Sequence, residues 1–182
     1  MKQAVISEYQ KKAADILAKA GIVITDSERK NMEIADFGLG DMAKTGLAII
    51  NYINTDRVCA KELIMMPRQT CPEHRHGAIQ EKNYVGKEET FRCRAGAVWL
   101  YVEGEPARNP VCAAPAGDEE WYTVWHEIRL LPGEQYTLRP DTPHWFQAGD
   151  EGAIVSEFST PSFDEFDIFT NPNIRRVPSW KG

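Results

Sequence analysis

The sequence predicts a mainly β fold: one barrel or sandwich of short strands with a helical segment at its N-terminus. From about residue 45, short runs rich in Val, Ile, Tyr, Phe and Trp are separated by Gly, Pro, Asn and Asp. That is the pattern of many short strands joined by turns. Before residue 45 the apolar side chains instead recur at helical spacing. The 182 residues are 42% hydrophobic and 26% charged, the composition of a globular chain long enough to bury a full core. A disordered tail, a collagen-like chain and a coiled-coil rod are excluded.

In residues 5–20, Val5, Tyr9, Ala13, Ile16, Leu17 and Ala20 share one helical face opposite a lysine-rich one. Gly21 stops that helix. Thr25-Asp26-Ser27 reads as the N-cap of a second helix over about 27–36, ended by Gly38 and Gly40. Strands are expected near 46–53, 57–66, 89–94, 97–103, 124–130, 134–138, 143–147 and 153–158. Residues 104–122, rich in Pro, Ala, Gly and Glu, read as a long surface loop, and 159–182 as a tail wrapping back over the domain. A helical cap (1–44) and a β-barrel with its wrap (45–182) thus form one structural domain.

The net charge is −6, so the basic footprint of a nucleic-acid partner is missing. No apolar run approaches the ~20 residues of a membrane span, and the N-terminus has no apolar signal region. Cys59, Cys71, Cys93 and Cys112 are too widely spaced for a zinc knuckle or a redox dithiol. Four reduced thiols in a cytoplasmic protein are expected.

The chain has four histidines. His74 and His76 are two apart, so on an extended segment their rings share a face and can grip one ion. Glu89 opens the next strand and His144 lies near the start of a later one. Three imidazoles and a carboxylate suit Mn²⁺, Fe²⁺, Zn²⁺, Co²⁺ or Ni²⁺ and leave room for two oxygen ligands. A His-x-His pair is as often a surface or core feature as a metal site. His126 has no partner at ligand spacing and reads as an ordinary histidine. Glu73, alternating with the pair, reads as a solvated neighbour.

These residues resemble the cupin superfamily, whose first motif is Gly-x5-His-x-His-x3–4-Glu-x6-Gly. His74, His76, Glu89 and Gly96 stand in its places, with twelve residues rather than three or four between His76 and Glu89. Gly133 and His144 fit the second motif, Gly-x5-Pro-x-Gly-x2-His-x3-Asn, in which Arg139 and Asp141 replace Pro and Gly. The segments HRHGAIQEKNYVGKEETFRCRAGAVWLYVEGE, LRPDTPHWFQAG and EFSTPSFDEFDIFTNPNIRR are similar to the D-lyxose isomerases, a cupin family, over most of residues 45–180. The resemblance implies a cupin-type jelly-roll barrel. It also implies a Mn²⁺-dependent aldose–ketose isomerase, with metal ligands His74, His76, Glu89 and His144. The substrates implied are D-lyxose and D-xylulose, often with D-mannose and D-fructose, and the assembly implied is a homodimer.

Such a reaction needs a general base besides the metal ligands. Strand alternation puts Phe91 and Cys93 on the face of Glu89, and Glu157 with Ala153 and Val155 on one face of its strand. A glutamate in an apolar strand needs a reason, so Glu157 is the candidate base, with an edge-facing carboxylate as the alternative. Lys87 is the candidate oxyanion partner, and a solvated loop lysine is nearly as good a reading. Lys82, Tyr101, Phe146 and Asp167 are candidate substrate contacts. Trp99 and Trp145 are further candidates for stacking on a sugar, although aromatics in strands are more often core. Arg175 is a candidate for closing the mouth. A dioxygenase would use the same ligand set, and a non-catalytic sugar-binding cupin would lack the inward base.

Overall fold

The computed structural model describes residues 3–176. The end of the expected tail wrap, 177–182, lies outside the described residues. Helix α1 (Gln3–Lys19) ends before Gly21, whose φ is +73°. Helix α2 (Asp26–Asn31) starts from the expected cap: Thr25 and Glu28 form a reciprocal capping box. It is shorter than expected. Met32 turns extended because it and Ile34 are drawn into the core beneath α1, and residues Glu33–Ala35 become strand β1.

The remaining strands are β2 (Leu47–Asn54), β3 (Cys59–Met65), β4 (Thr70–Arg75), β5 (Glu89–Val102), β6 (His126–Leu130), β7 (Gln135–Leu138), β8 (His144–Ser159) and β9 (Ile168–Phe169). They form one curled sheet in the order β1-β2-β3-β8-β4-β9, while β5 pairs with β6, β7 and β8. The pairs of strands expected at 89–94 with 97–103, and at 143–147 with 153–158, are each one bent strand. The bend falls where β5 and β8 meet: pairing jumps from Gly96↔Ala153 to Val98↔Ala148. Gly96 and Gly152 both have positive φ there, and a Cβ on Gly96 would sit 2.1 Å from the Gly152 carbonyl oxygen. Only glycine allows the two backbones to approach so closely.

The inner core alternates along the strands as a barrel requires. Phe91, Cys93, Leu100, Phe146, Ala153 and Val155 face inward, together with Leu63 and Met65 of β3. On the outer face, Ala13 and Leu17 of α1 pack on Ala48, Ile50, Ile64 and Ile154. A second outer cluster, Tyr101, Cys112, Tyr122, Val124 and Trp145, lies beneath the 104–122 loop. All four cysteines are buried and unpaired. No helix among the described residues is long and apolar enough to cross a membrane.

Candidate metal and sugar site

β4 and β8 bring the histidines together. His74 and His144 are direct cross-strand partners, and His76, one residue past β4, lies on the face of His74. Each ring is oriented by an acceptor at Nδ1. The carbonyls of Pro72 and Thr142 take His74 and His144 at 2.8 and 2.9 Å, and Asp167 Oδ1 takes His76 at 2.6 Å. A carbonyl oxygen can only accept, so Nδ1 of His74 and of His144 carries the hydrogen and Nε2 presents a lone pair. The three rings offer ligand atoms within 4.8 Å of one another.

Glu89, at the start of β5, completes the cluster. Its Oε1 lies 3.1 Å from His144 Nε2 and 3.2 Å from His76 Nε2. Those three atoms are buried without a hydrogen-bond partner. Convergent lone pairs around a shared point demand a cation. Burial and Lys87 oppose the charge on His76, yet Glu89 and Asp167 outweigh them and raise its pKa to about 9. Burial and the rings of His144 and His76 hold His74 well below the usual range. The three histidines could hold a divalent metal, and Glu89 Oε1 lies within reach of the same point.

Beside this cluster lies a buried ion-paired line. Lys87 Nζ is 2.6 Å from Glu89 Oε2 and 2.9 Å from Glu157 Oε1. Burial opposes ionisation of Lys87, but Glu157 and Glu89 keep it charged well above its ordinary range. Burial likewise opposes the charge on Glu89, which Lys87 and His76 nonetheless hold well below the carboxylate range. Both glutamates and Lys87 line one cavity with His74, His76, Asp167 and Phe146. Its walls include Phe37, Leu47, Leu63 and Phe91.

Several expected residues lie elsewhere. Tyr101 does not line this cavity. Leu100 takes the inward position on β5, and Tyr101, fully buried, stacks on Trp145 at 4.1 Å on the outer face. Its hydroxyl donates to Glu127 and accepts from the Cys112 amide. Trp145 belongs to that outer cluster too. Lys82 is exposed on a 3-10 turn, its ammonium 4.7 Å from the centre of the Phe163 ring. Glu73 is not solvated: it is buried and accepts hydrogen bonds from Thr123, Val124 and Thr170. Arg175 spends its guanidinium on the carbonyls of Pro172 and Ile174. The next residue, Arg176, reaches the cavity and pairs with Asp164 at 2.7 Å.

Besides Arg176, two polar residues at the cavity escaped the sequence reading. Lys61 on β3 is 5% exposed and faces inward with Leu63 and Met65. It stands directly across the β3–β8 pairing from Glu157. Its signal was the one that singled out Glu157: a charge on the apolar face of a strand. Asp164, which binds Lys61 at 2.9 Å, carried no comparable signal in its irregular segment.

Comparison with known proteins agrees with this geometry. The family model described as D-lyxose isomerase matches residues 8–181. The D-lyxose/D-mannose isomerase of Thermosediminibacter oceani is 60% identical over 178 residues, covering 98% of this chain and 97% of that one. The D-lyxose ketol-isomerase of Cohnella laeviribosi is 58% identical over 171 residues, 94% of this chain and 93% of that one. Among solved structures, the L-ribose isomerase of Acinetobacter sp. DL28 in complex with L-ribose superposes with a TM-score of 0.79. At 17% identity it covers 96% of this chain and 94% of its own, which establishes the shared fold. A barrel with an N-terminal helix, a buried His₃ cluster and a match along nearly the whole length identify the chain as a member of the D-lyxose isomerase family.

Proposed function

We propose that the chain interconverts D-lyxose and D-xylulose, and D-mannose and D-fructose, with Glu157 as the base that carries the proton between C2 and C1. The observation that carries this reading is Glu157 itself. It is a buried carboxylate surplus to the metal-ligand set, in the same cavity and 2.9 Å from Lys87.

Mn²⁺ held by His74, His76, Glu89 and His144 would polarise the sugar carbonyl and the neighbouring hydroxyl, lowering the cost of an enediolate. The protein's own groups do the rest. Glu157 Oε1 is occupied by Lys87 and by the hydroxyl of Ser159, which leaves Oε2 to take the C2 proton and return it to C1. The hydroxyl hydrogen on O2 moves to O1, so atoms balance between aldose and ketose. Lys87, fixed between two carboxylates, holds Glu157 in place and offers positive charge to the oxygen that becomes negative.

The working unit of this reading is a homodimer in the cytoplasm, with reduced thiols. A partly uncovered strip on the outer sheet supports the dimer: Ile53, Ala60 and Phe158 are side by side in the register, and Ile53 and Phe158 are about half exposed.

Manganese-loaded Glu157→Gln tests the assignment. It is expected to keep its metal and fold and to lose ~10²–10⁴-fold in ketose formation from D-lyxose, the usual cost of removing a general base. Lys87→Met is expected to lose less. Turnover near the parent rate in Glu157→Gln would move the proton to another group.

A further inference from the structure

We propose that Lys61 and Asp164 bind the sugar's hydroxyls remote from the reacting carbons, with the Lys61 ammonium donating and the Asp164 carboxylate accepting. This inference rests on the isomerase reading of the cavity and names the part of the site that reading leaves unassigned.

A monosaccharide in this cavity brings more hydroxyls than the metal ligands, Lys87 and Glu157 can satisfy. A buried hydroxyl without a partner costs free energy, so the rest of the wall must supply donors and acceptors. Among the described lining residues, the polar side chains beyond the metal cluster, Asp167, Lys87 and Glu157 are Lys61, Asp164 and Arg176.

Lys61 is built for the task. An ammonium has three donors. Two are taken, by Ser162 Oγ and by Asp164 Oδ1, each at 2.9 Å. The third has no partner among the described protein groups. The side chain is buried and borders the cavity. Asp164 is complementary. Its Oδ1 accepts from Lys61 and Ser162, and its Oδ2 accepts from Arg176. A carboxylate has about four lone-pair sites, so one acceptor site remains beside the one spare donor. A hydroxyl both donates and accepts, and a vicinal diol does so twice.

Position points the same way. Glu157 lies on β8 between β5, which carries Glu89 of the metal cluster, and β3, which carries Lys61 directly across the register, so Lys61 is on the far side of Glu157 from Glu89. A substrate with C1 and C2 between the metal ligands and Glu157 extends its remaining carbons past Glu157 toward Lys61. The pairing of Lys61 and Arg176 with Asp164 and Glu33 also neutralises this wall, which suits an uncharged sugar.

Lys61→Met, compared with the manganese-loaded parent, tests the inference. Ketose formation by the parent comes first, because its absence overturns both the isomerase reading and this one. With an active parent, Lys61→Met is expected to raise KM for D-lyxose 10-fold or more. Metal content should be unchanged and kcat should fall less than about threefold. Deoxygenation at C4 or C5 of D-lyxose is expected to lower kcat/KM of the parent strongly for at least one analogue, and that penalty should shrink in Lys61→Met. Equal penalties in both proteins, or an unchanged KM, would overturn the inference and leave the isomerase reading standing. Lys61→Arg keeps the ion pair with Asp164 but displaces the donor. It is expected to show the same raised KM, whereas a purely structural lysine would be rescued by it.

Discussion

Asp167 Oδ1 accepts the Nδ1–H of His76 at 2.6 Å, from a segment 91 residues further along the chain. The carboxylate orients the ring and makes its Nε2 a better donor to a cation. Asp167→Ala leaves His74, His76, Glu89 and His144 in place. It is expected to weaken Mn²⁺ binding ~10–100-fold, the usual cost of losing an outer partner of a ligating histidine. Competition with a chelating dye measures this directly, and an unchanged affinity would separate Asp167 from the metal site.

His144→Ala tests the proposed ligand set itself rather than its support. Bound manganese and isomerase activity should fall together, and by more than the ~10–100-fold expected when only the outer partner is lost. Metal analysis of the purified variant provides the check. Full occupancy would strike His144 from the ligand set.

Acid should loosen the segment around Asp164, which lines the cavity. Burial works against the charge on Asp164, but Arg176 and Lys61 beside it hold its carboxyl well below the unfolded value of 3.8. A group with a depressed folded pKa stabilises the fold fully above its unfolded value and loses that contribution as pH falls toward the folded one. The parent's melting temperature should therefore fall as pH drops below about 4. Asp164→Asn should melt lower than the parent at neutral pH and show a shallower acid slope. Melting curves from pH 7 down to 3 would record both, and parallel slopes would contradict the assignment.

Gly96→Ala tests the bend of the barrel. Its φ is +71°, and a Cβ would press on the backbone of Gly152 rather than on a movable side chain. A non-glycine residue in such a conformation costs about 1–3 kcal/mol, and here the clash adds to it. Urea unfolding should show a loss of at least about 1 kcal/mol. A variant as stable as the parent would mean that the β5–β8 crossing can open without cost.

The sequence by itself determined most of the strands, because their signal is local, but it missed β1, β4 and β9, whose short or polar segments are held as strands by their partners in the sheet. Apolar residues alternate with a period of two, and turns are marked by Gly, Pro and Asn. The same period put His74 and His76 on one face, and Glu157 with Ala153 and Val155. It also carried Lys61, alternating with Leu63 and Met65, although that residue went unread. What alternation cannot say is which face turns inward when both are covered. On β5 the inward face belongs to Leu100, and Tyr101 packs under the 104–122 loop. Nor can it name partners distant in the chain. Glu73 is buried because Thr123 and Thr170 come to it from 50 and 97 residues away. Arg176 rather than Arg175 enters the cavity because Asp164 and Glu33 are placed there by the tail and by β1. Only the tertiary structure decided these, since a polar side chain takes its position from whichever group satisfies it, and the long-range pairing of the sheet selects that group.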